Sequence, residues 1–194
     1  MTYRHIALMG RARSGKDTVA RRLVSTWAFT RVAFADPLKD MALNLDPVVM
    51  YEPAGYGPLP VRLTDVVKRW GWGKAKDRCP EVRRTLQRLG ESVRAQDDVY
   101  WLSLALDKVA VADRWNLPVV VTDVRYENEA QALKSRGFTL VRLVRPQGAE
   151  RMDESTAGHE SETALDHYPA DVSLANNGTL NELSCWTDAL VQYR

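Results

Sequence analysis

Apolar positions along this chain switch between short continuous runs and stretches with a helical period. Ile6-Ala7-Leu8-Met9 is a continuous run, suited to a strand buried on both faces. Val19, Ala20, Leu23, Val24 and Trp27 then recur at helical spacing with Arg21, Arg22 and Ser25 opposite, which predicts a helix running on from Gly15. Residues 31–35 read as a second strand. Asp36-Pro37 follows as an N-cap aspartate with proline at the first position of a helix over 37–45.

Between 46 and 80 the period is lost. Pro47, Pro53, Gly55, Gly57, Pro58, Pro60, Gly71, Gly73 and Pro80 predict an insertion or mobile flap without a long element, with a short helix over 64–70. Over 80–95 the period returns: Val82, Leu86, Leu89 and Val93 form an apolar stripe. Arg83, Gln87, Gly90 and Arg94 form the stripe about 100° further round, and Arg84, Arg88 and Glu91 point to solvent. Asp97-Asp98 caps a helix over 99–115, whose mainly apolar residues are Trp101, Leu102, Leu104, Ala105, Val109 and Ala112.

Residues 118–123 form a buried strand ending in Asp123, 127–136 a helix stopped by Gly137, and 139–144 a further strand. Residues 145–163 are polar and helix-poor, which reads as a lid or as a segment without function. A last strand over 171–175 leads through the turn at 176–179 to a helix capped by Thr179, with Leu180, Leu183, Trp186, Leu190 and Val191 on its apolar side. Strand and helix alternate throughout. The fold class predicted is α/β: three layers, a parallel sheet of about five strands with helices on both faces.

Length and composition fit one domain with a full core: 194 residues, 45% hydrophobic and 27% charged. The net charge of +2 supplies no global field toward nucleic acid or an anionic membrane, so neither is expected as a partner. Cys79 and Cys185 lie far apart without metal-ligand spacing, as expected of a reduced cytoplasmic protein. The run 6–9 is too short for a signal-peptide core or a membrane span.

The stretch Gly10-Arg11-Ala12-Arg13-Ser14-Gly15-Lys16-Asp17-Thr18 carries the clearest chemistry. A strand, a glycine-bounded loop and a helix in that order make a phosphate cradle: backbone N–H groups turn inward, the helix start adds partial positive charge, and Lys16 reaches the phosphates. The pattern departs from G-x-x-x-x-G-K-[ST] at Asp17, which stands where a Mg²⁺-binding hydroxyl is usual, while Thr18 comes one residue late. Asp36 is either a cap alone or a carboxylate at a strand's C-terminal end, where α/β folds bind ligands. Arg83, Gln87 and Arg94 either hold an anion beside a buried seam or form a solvated charged face. If strand 118–123 lies beside the first strand, Asp123 faces the cradle and can hold Mg²⁺ directly or through water. Trp70 and Trp72, interleaved with Lys74 and Lys76, pack the insertion or stack on a base.

Several stretches together resemble the phage-type deoxynucleoside monophosphate kinases, a branch of the P-loop kinases. They are GRARSGKDT at 10–18, FADPLK at 34–39, RRTLQRLGESVR at 83–94, TDVRYENE at 122–129, HESE at 159–162 and NNGT at 176–179. The resemblance implies a P-loop kinase core over 1–45 and 96–194, a helical monophosphate-binding insertion over 46–95 and a lid over 145–163. It implies transfer of the ATP γ-phosphoryl group to a deoxynucleoside monophosphate with Mg²⁺, supplying nucleotides for phage DNA synthesis. The competing readings are another small-molecule P-loop kinase, such as one acting on dephospho-coenzyme A, and a P-loop ATPase or switch protein.

By that resemblance Gly10, Arg13, Ser14, Gly15, Lys16, Asp17 and Thr18 bind ATP, and Asn177 and Gly178 border its adenine. Asp17 and Asp123 hold the metal. Arg83, Gln87 and Arg94 take the acceptor, bordered by Asp36, Lys39 and Asp123, with Arg125 between the two phosphates. Such a transfer needs no strong general base and depends on positioning and on cations, the roles given to Lys16, Arg125, Arg145 and Arg151. A homodimer is in keeping with the family and with the tryptophan-rich helices, which core packing explains equally.

Overall fold

The structure, a computed structural model, describes residues 2–145 and 163–193. From the N-terminus the elements are β1 (Ile6–Met9), α1 (Lys16–Trp27), β2 (Thr30–Val32), α2 (Ala35–Leu45), β3 (Val48–Glu52), β4 (Leu59–Arg62), α3 (Leu63–Arg78), α4 (Pro80–Arg94) and α5 (Tyr100–Arg114). They continue with β5 (Val119–Val124), α6 (Glu127–Ser135), β6 (Thr139–Val144), β7 (Val172–Ala175) and α7 (Leu180–Ala189). The chain divides into two compact units, Met1–Phe34 with Ala105–Arg194, and Ala35–Leu104.

The first unit is built on a five-stranded sheet in the order β2-β5-β1-β6-β7, with every pair parallel. Successive side chains of a strand point to opposite faces, and Ile6, Ala7, Leu8 and Met9 are all fully buried, so both faces of β1 are covered. One core gathers Ile6, Leu8, Val19, Leu23, Phe29, Val120, Val141, Leu143, Leu174 and Leu183. Each fully buried aliphatic or aromatic side chain of this kind contributes about 1.5–3 kcal/mol. His5 is buried where β1 begins. Its Nδ1 accepts the Val119 N–H at 2.9 Å, so Nε2 carries the proton and donates to Asp113 at 2.8 Å.

β2 is shorter than predicted because its ladder with β5 covers only Thr30 to Val32. Beyond it the Phe34 N–H donates to the Asp123 carboxylate at 2.9 Å instead of to a strand. The apolar side of α7 is also narrower than the sequence suggests. Leu183 and Thr187 are buried, whereas Leu180 and Trp186 are 71% and 58% exposed. On the side facing α1, Asp188 accepts from the Arg22 guanidinium and from Trp27 Nε1 at 2.8 Å, so a polar residue occupies part of the contact between the two helices.

In the second unit the expected flap is ordered structure. β3 and β4 pair antiparallel, from Val48 opposite Arg62 to Glu52 opposite Leu59, and Gly57 turns the hairpin at φ 114°. The prolines and glycines therefore punctuate a hairpin, and Pro60 is tolerated because the sheet has only two strands. The short helix expected over 64–70 extends to Arg78, broken at Gly71, whose φ of 70° and ψ of 161° suit glycine. Asp46 accepts the Thr64 N–H at 2.8 Å, and that bond holds its carboxyl below the usual range. Ala42, Val49, Val61, Leu63, Val66, Ala75, Val82 and Leu86 form this unit's core, with Trp70 and Trp72 packed against it. Among the described residues no helix is long and apolar enough to cross a membrane.

Candidate phosphate-binding site

The loop between β1 and α1 leaves the C-terminal edge of the sheet at its central strand, flanked by β5 and β6. The strand order reverses there, and such a crevice is where open α/β sheets bind ligands. The loop's shape depends on its glycines. Gly10 has φ 129°, and a Cβ there would lie 2.3 Å from the Leu143 carbonyl oxygen. Gly15 has φ 108°, and its Cβ would meet Asn176 Nδ2 at 2.5 Å. Arg13 adopts φ 63° between them.

Gly15 caps α1 with no side-chain hydrogen bond. A helix start of this kind offers backbone N–H groups and partial positive charge to an anion. The Lys16 ammonium lies over the same loop, 2.5 Å from the Gly10 oxygen, 2.7 Å from the Arg11 oxygen and 3.5 Å from Ser14 Oγ. Ser14 is buried. Arg11 leaves the loop to pair with Asp166 at 2.6 Å.

Asp17 is exposed in the first turn of α1, and Thr18 beside it is half-buried. β5 does lie next to β1, the condition set for Asp123, and Asp123 is half-buried near that strand's C-terminal end. Two hard oxygen donors suit Mg²⁺, which keeps several waters and takes few protein ligands. Among the described residues no group of three or more His, Cys, Asp or Glu is arranged for a metal. Arg125 follows β5, and its backbone N–H donates to Glu129 Oε2 at 2.8 Å.

Asn176 touches the loop: its Nδ2 donates to the Ser14 oxygen at 2.9 Å. Asn177 and Gly178 are exposed in the following turn. Asn176 lies in the quoted NNGT stretch without a role of its own there, and its place directly after the last strand of the sheet is what brings it to the loop. Glu129, the last residue of the quoted TDVRYENE stretch, likewise carries no role in that reading of the motifs. Arg145 is described and exposed, just past β6. Arg151 and nearly all of the expected lid lie outside the described residues.

The remaining predicted residues belong to the second unit. Asp36 is not an N-cap: α2 starts at Ala35, and Asp36 lies in the first turn, where its carboxylate meets Lys39 Nζ at 3.1 Å. On α4 Val82 and Leu86 are buried, and Leu89 and Val93 only half-buried. Arg83, Gln87, Gly90 and Arg94 line up half-buried beside them, while Arg84, Arg88 and Glu91 are exposed. Arg84 and Arg88 turn back to Glu81. Arg83 lies 3.9 Å from Asp77, and Arg94 donates to the Asp98 oxygen at 3.5 Å.

A family profile described as deoxynucleotide monophosphate kinase matches residues 64–185. That segment excludes the glycine loop, so the profile and the loop are separate lines of support. A protein of Acanthamoeba polyphaga mimivirus, provisionally named a deoxynucleotide monophosphate kinase, is 30% identical over 190 residues, covering 91% of this chain and 90% of its own. The deoxynucleotide monophosphate kinase of enterobacteria phage T4 is 33% identical over 53% of this chain. This chain covers 42% of that phage protein's length. The dephospho-CoA kinase of Campylobacter jejuni superposes with a TM-score of 0.53 over 96% of this chain and 94% of its own at 10% identity, a likeness of fold alone.

Proposed function

The chain belongs to the deoxynucleotide monophosphate kinase family, and from that premise we propose that it moves the γ-phosphoryl group of ATP to a deoxynucleoside monophosphate, with the 10–18 loop holding the donor. The observation that carries the donor assignment is the loop itself: two glycines at positive φ, a helix start capped without a side chain, and the Lys16 ammonium lying over it. Loop carbonyls hold that ammonium now. A phosphate oxygen carries the opposite charge and adds to those ammonium bonds a Coulomb attraction that neutral carbonyls lack.

The acceptor phosphate is already ionised at neutral pH, so the reaction asks for positioning and charge compensation more than for proton abstraction. Arg83, Gln87 and Arg94 on α4 take the acceptor nucleotide, with Asp36 and Lys39 on α2 bordering it. Their half-burial supports this: a guanidinium partly withdrawn from water binds an anion more strongly than one on a solvated face. Arg125 compensates charge on the transferring group, and Arg145 with Arg151 are the cations of the 145–163 lid. Asp17 and Asp123 would hold Mg²⁺, which when bound supplies charge neutralisation at the β and γ phosphates.

The test is an acceptor panel. Purified protein with ATP and Mg²⁺ is offered each deoxynucleoside monophosphate, the ribonucleotides and dephospho-coenzyme A, with ADP release and product identity both measured. Phosphorylation of one or more deoxynucleoside monophosphates is expected. Phosphorylation of dephospho-coenzyme A alone, or ADP release without any phosphorylated acceptor, refutes the proposal.

A further inference from the structure

Glu129 is a carboxylate buried to 2% exposure that the transfer reaction itself does not require. It stands at the third position of α6 and reaches back to the turn that joins β5 to that helix. One oxygen, Oε2, accepts the backbone N–H of Arg125 at 2.8 Å and that of Tyr126 at 3.2 Å. The Glu129 N–H in turn donates to Asn128 Oδ1 at 2.9 Å. Asp123 and Arg125, the two residues of this stretch assigned to the reaction, therefore lie just before and within the turn that Glu129 holds.

The molecule contains its own comparison. On α7, Glu182 also stands at the third helical position and accepts the Thr179 N–H at 2.7 Å, yet it is exposed and its bond serves the helix start alone. A reach-back bond of this kind does not require burial. Glu129 differs in being withdrawn from water and in gripping one residue further back, the N–H of Arg125 itself. Taking a carboxylate out of water is costly unless hydrogen bonds replace the lost hydration. Once made, such bonds in a water-poor setting are stiff, because a break leaves a buried charge with a partner missing.

We infer that Glu129 is a positioning residue for phosphoryl transfer: by clamping the Arg125 and Tyr126 amides it fixes the direction in which the Arg125 side chain leaves the backbone. This rests on the assignment of Arg125 to the transferring phosphate. Guanidinium compensation of transition-state charge is sensitive to placement, and a displacement of about 1 Å costs on the order of 10²-fold in rate. The effect falls mainly on kcat, since the segments assigned most of the binding, the donor loop and the stripe on α4, lie outside this turn.

A mutant cycle between Glu129 and Arg125 tests this. Glu129→Gln keeps the shape but replaces the charged acceptor with a neutral amide. It is expected to lower kcat roughly 10- to 100-fold while the KM for ATP and for the acceptor change by less than about 3-fold. Placed on Arg125→Ala, the same change is expected to cost nothing further in kcat, because the side chain being aimed is gone. Additive losses, or a Glu129→Gln variant with full kcat, overturn the inference and leave the role of Arg125 standing. Full kcat in Arg125→Ala overturns the assignment of Arg125 first, and the inference with it. If Glu129→Gln does not give the circular dichroism of the parent, Glu129→Asp replaces it in the same cycle. That variant keeps the charge and shortens the reach, and the same non-additivity is required of it.

Discussion

Replacing Gly15 by alanine probes the link between the phosphate loop and the turn after β7. Two costs can be worked out. At φ 108° a residue with a Cβ sits in a sparsely populated region, a strain of about 1–3 kcal/mol. The new Cβ would also lie 2.5 Å from Asn176 Nδ2, so the amide must swing away and give up its 2.9 Å bond to the Ser14 oxygen. That bond is worth about 0.5–1.5 kcal/mol. Together Gly15→Ala is expected to destabilise by about 1.5–4.5 kcal/mol, a large share of the roughly 5–15 kcal/mol that holds a typical domain together. Asn176→Ala alone removes only the bond. Because Gly15→Ala has already broken it, the double variant is expected to be no less stable than Gly15→Ala, sub-additive by about 0.5–1.5 kcal/mol. Urea unfolding followed by tryptophan fluorescence gives the stabilities, and titration calorimetry gives ATP affinity, which is expected to fall in both variants carrying alanine at 15. Strictly additive stabilities would refute the coupling, and unchanged ATP affinity in folded Gly15→Ala would refute the donor assignment of the loop.

Lys16→Ala is expected to keep the fold and lose turnover by about 10²–10³-fold or more, the scale of removing one preorganised donor; steady-state assay beside circular dichroism checks it. Arg83→Ala and Arg94→Ala are each expected to raise the acceptor KM roughly 10- to 100-fold with little change in the KM for ATP, since a charge-assisted bond to phosphate is worth about 1.5–3 kcal/mol. An unchanged acceptor KM in both variants would place the stripe in a purely solvated face. Asp188 gives a pH prediction. The Arg22 guanidinium and then the Trp27 indole N–H hold its carboxyl below the usual range, so its stabilisation is present above the ordinary carboxylate pKa of about 3.9 and is lost as pH falls through the lower folded value. The melting temperature followed downward from about pH 5 is expected to fall less steeply in Asp188→Asn than in the parent.

Much of this fold could be read from periodicity alone. A run such as Ile6 to Met9, apolar at every position and closed by a glycine turn, suits a strand covered on both faces, and the stripe of α4 repeats over several helical turns. The glycine-bounded loop after β1 was equally legible as a local shape, because glycines suit the positive φ found at Gly10 and Gly15 and Lys16 follows directly. What failed was local. The 46–80 stretch looks broken because proline and glycine mark turns and edges alike, and only pairing between β3 and β4 makes it a hairpin. Asp36 looks like a cap because its residue type suits one, whereas the helix begins a residue earlier.

Sequence by itself determined the alternation of elements, the parallel α/β class, the loop with Lys16 and the arginine stripe, since each depends on residues within a few positions of one another. Tertiary structure alone decided that β5 lies beside β1, that Asn176 bonds into the loop from 162 residues away, that Asp188 on α7 pairs with Arg22 on α1, and that Glu129 is buried against the Arg125 turn. These depend on which distant segments meet. A carboxylate or an amide carries no mark in the sequence of the N–H or carbonyl that will be waiting for it, because that partner is supplied by the packing of the whole chain.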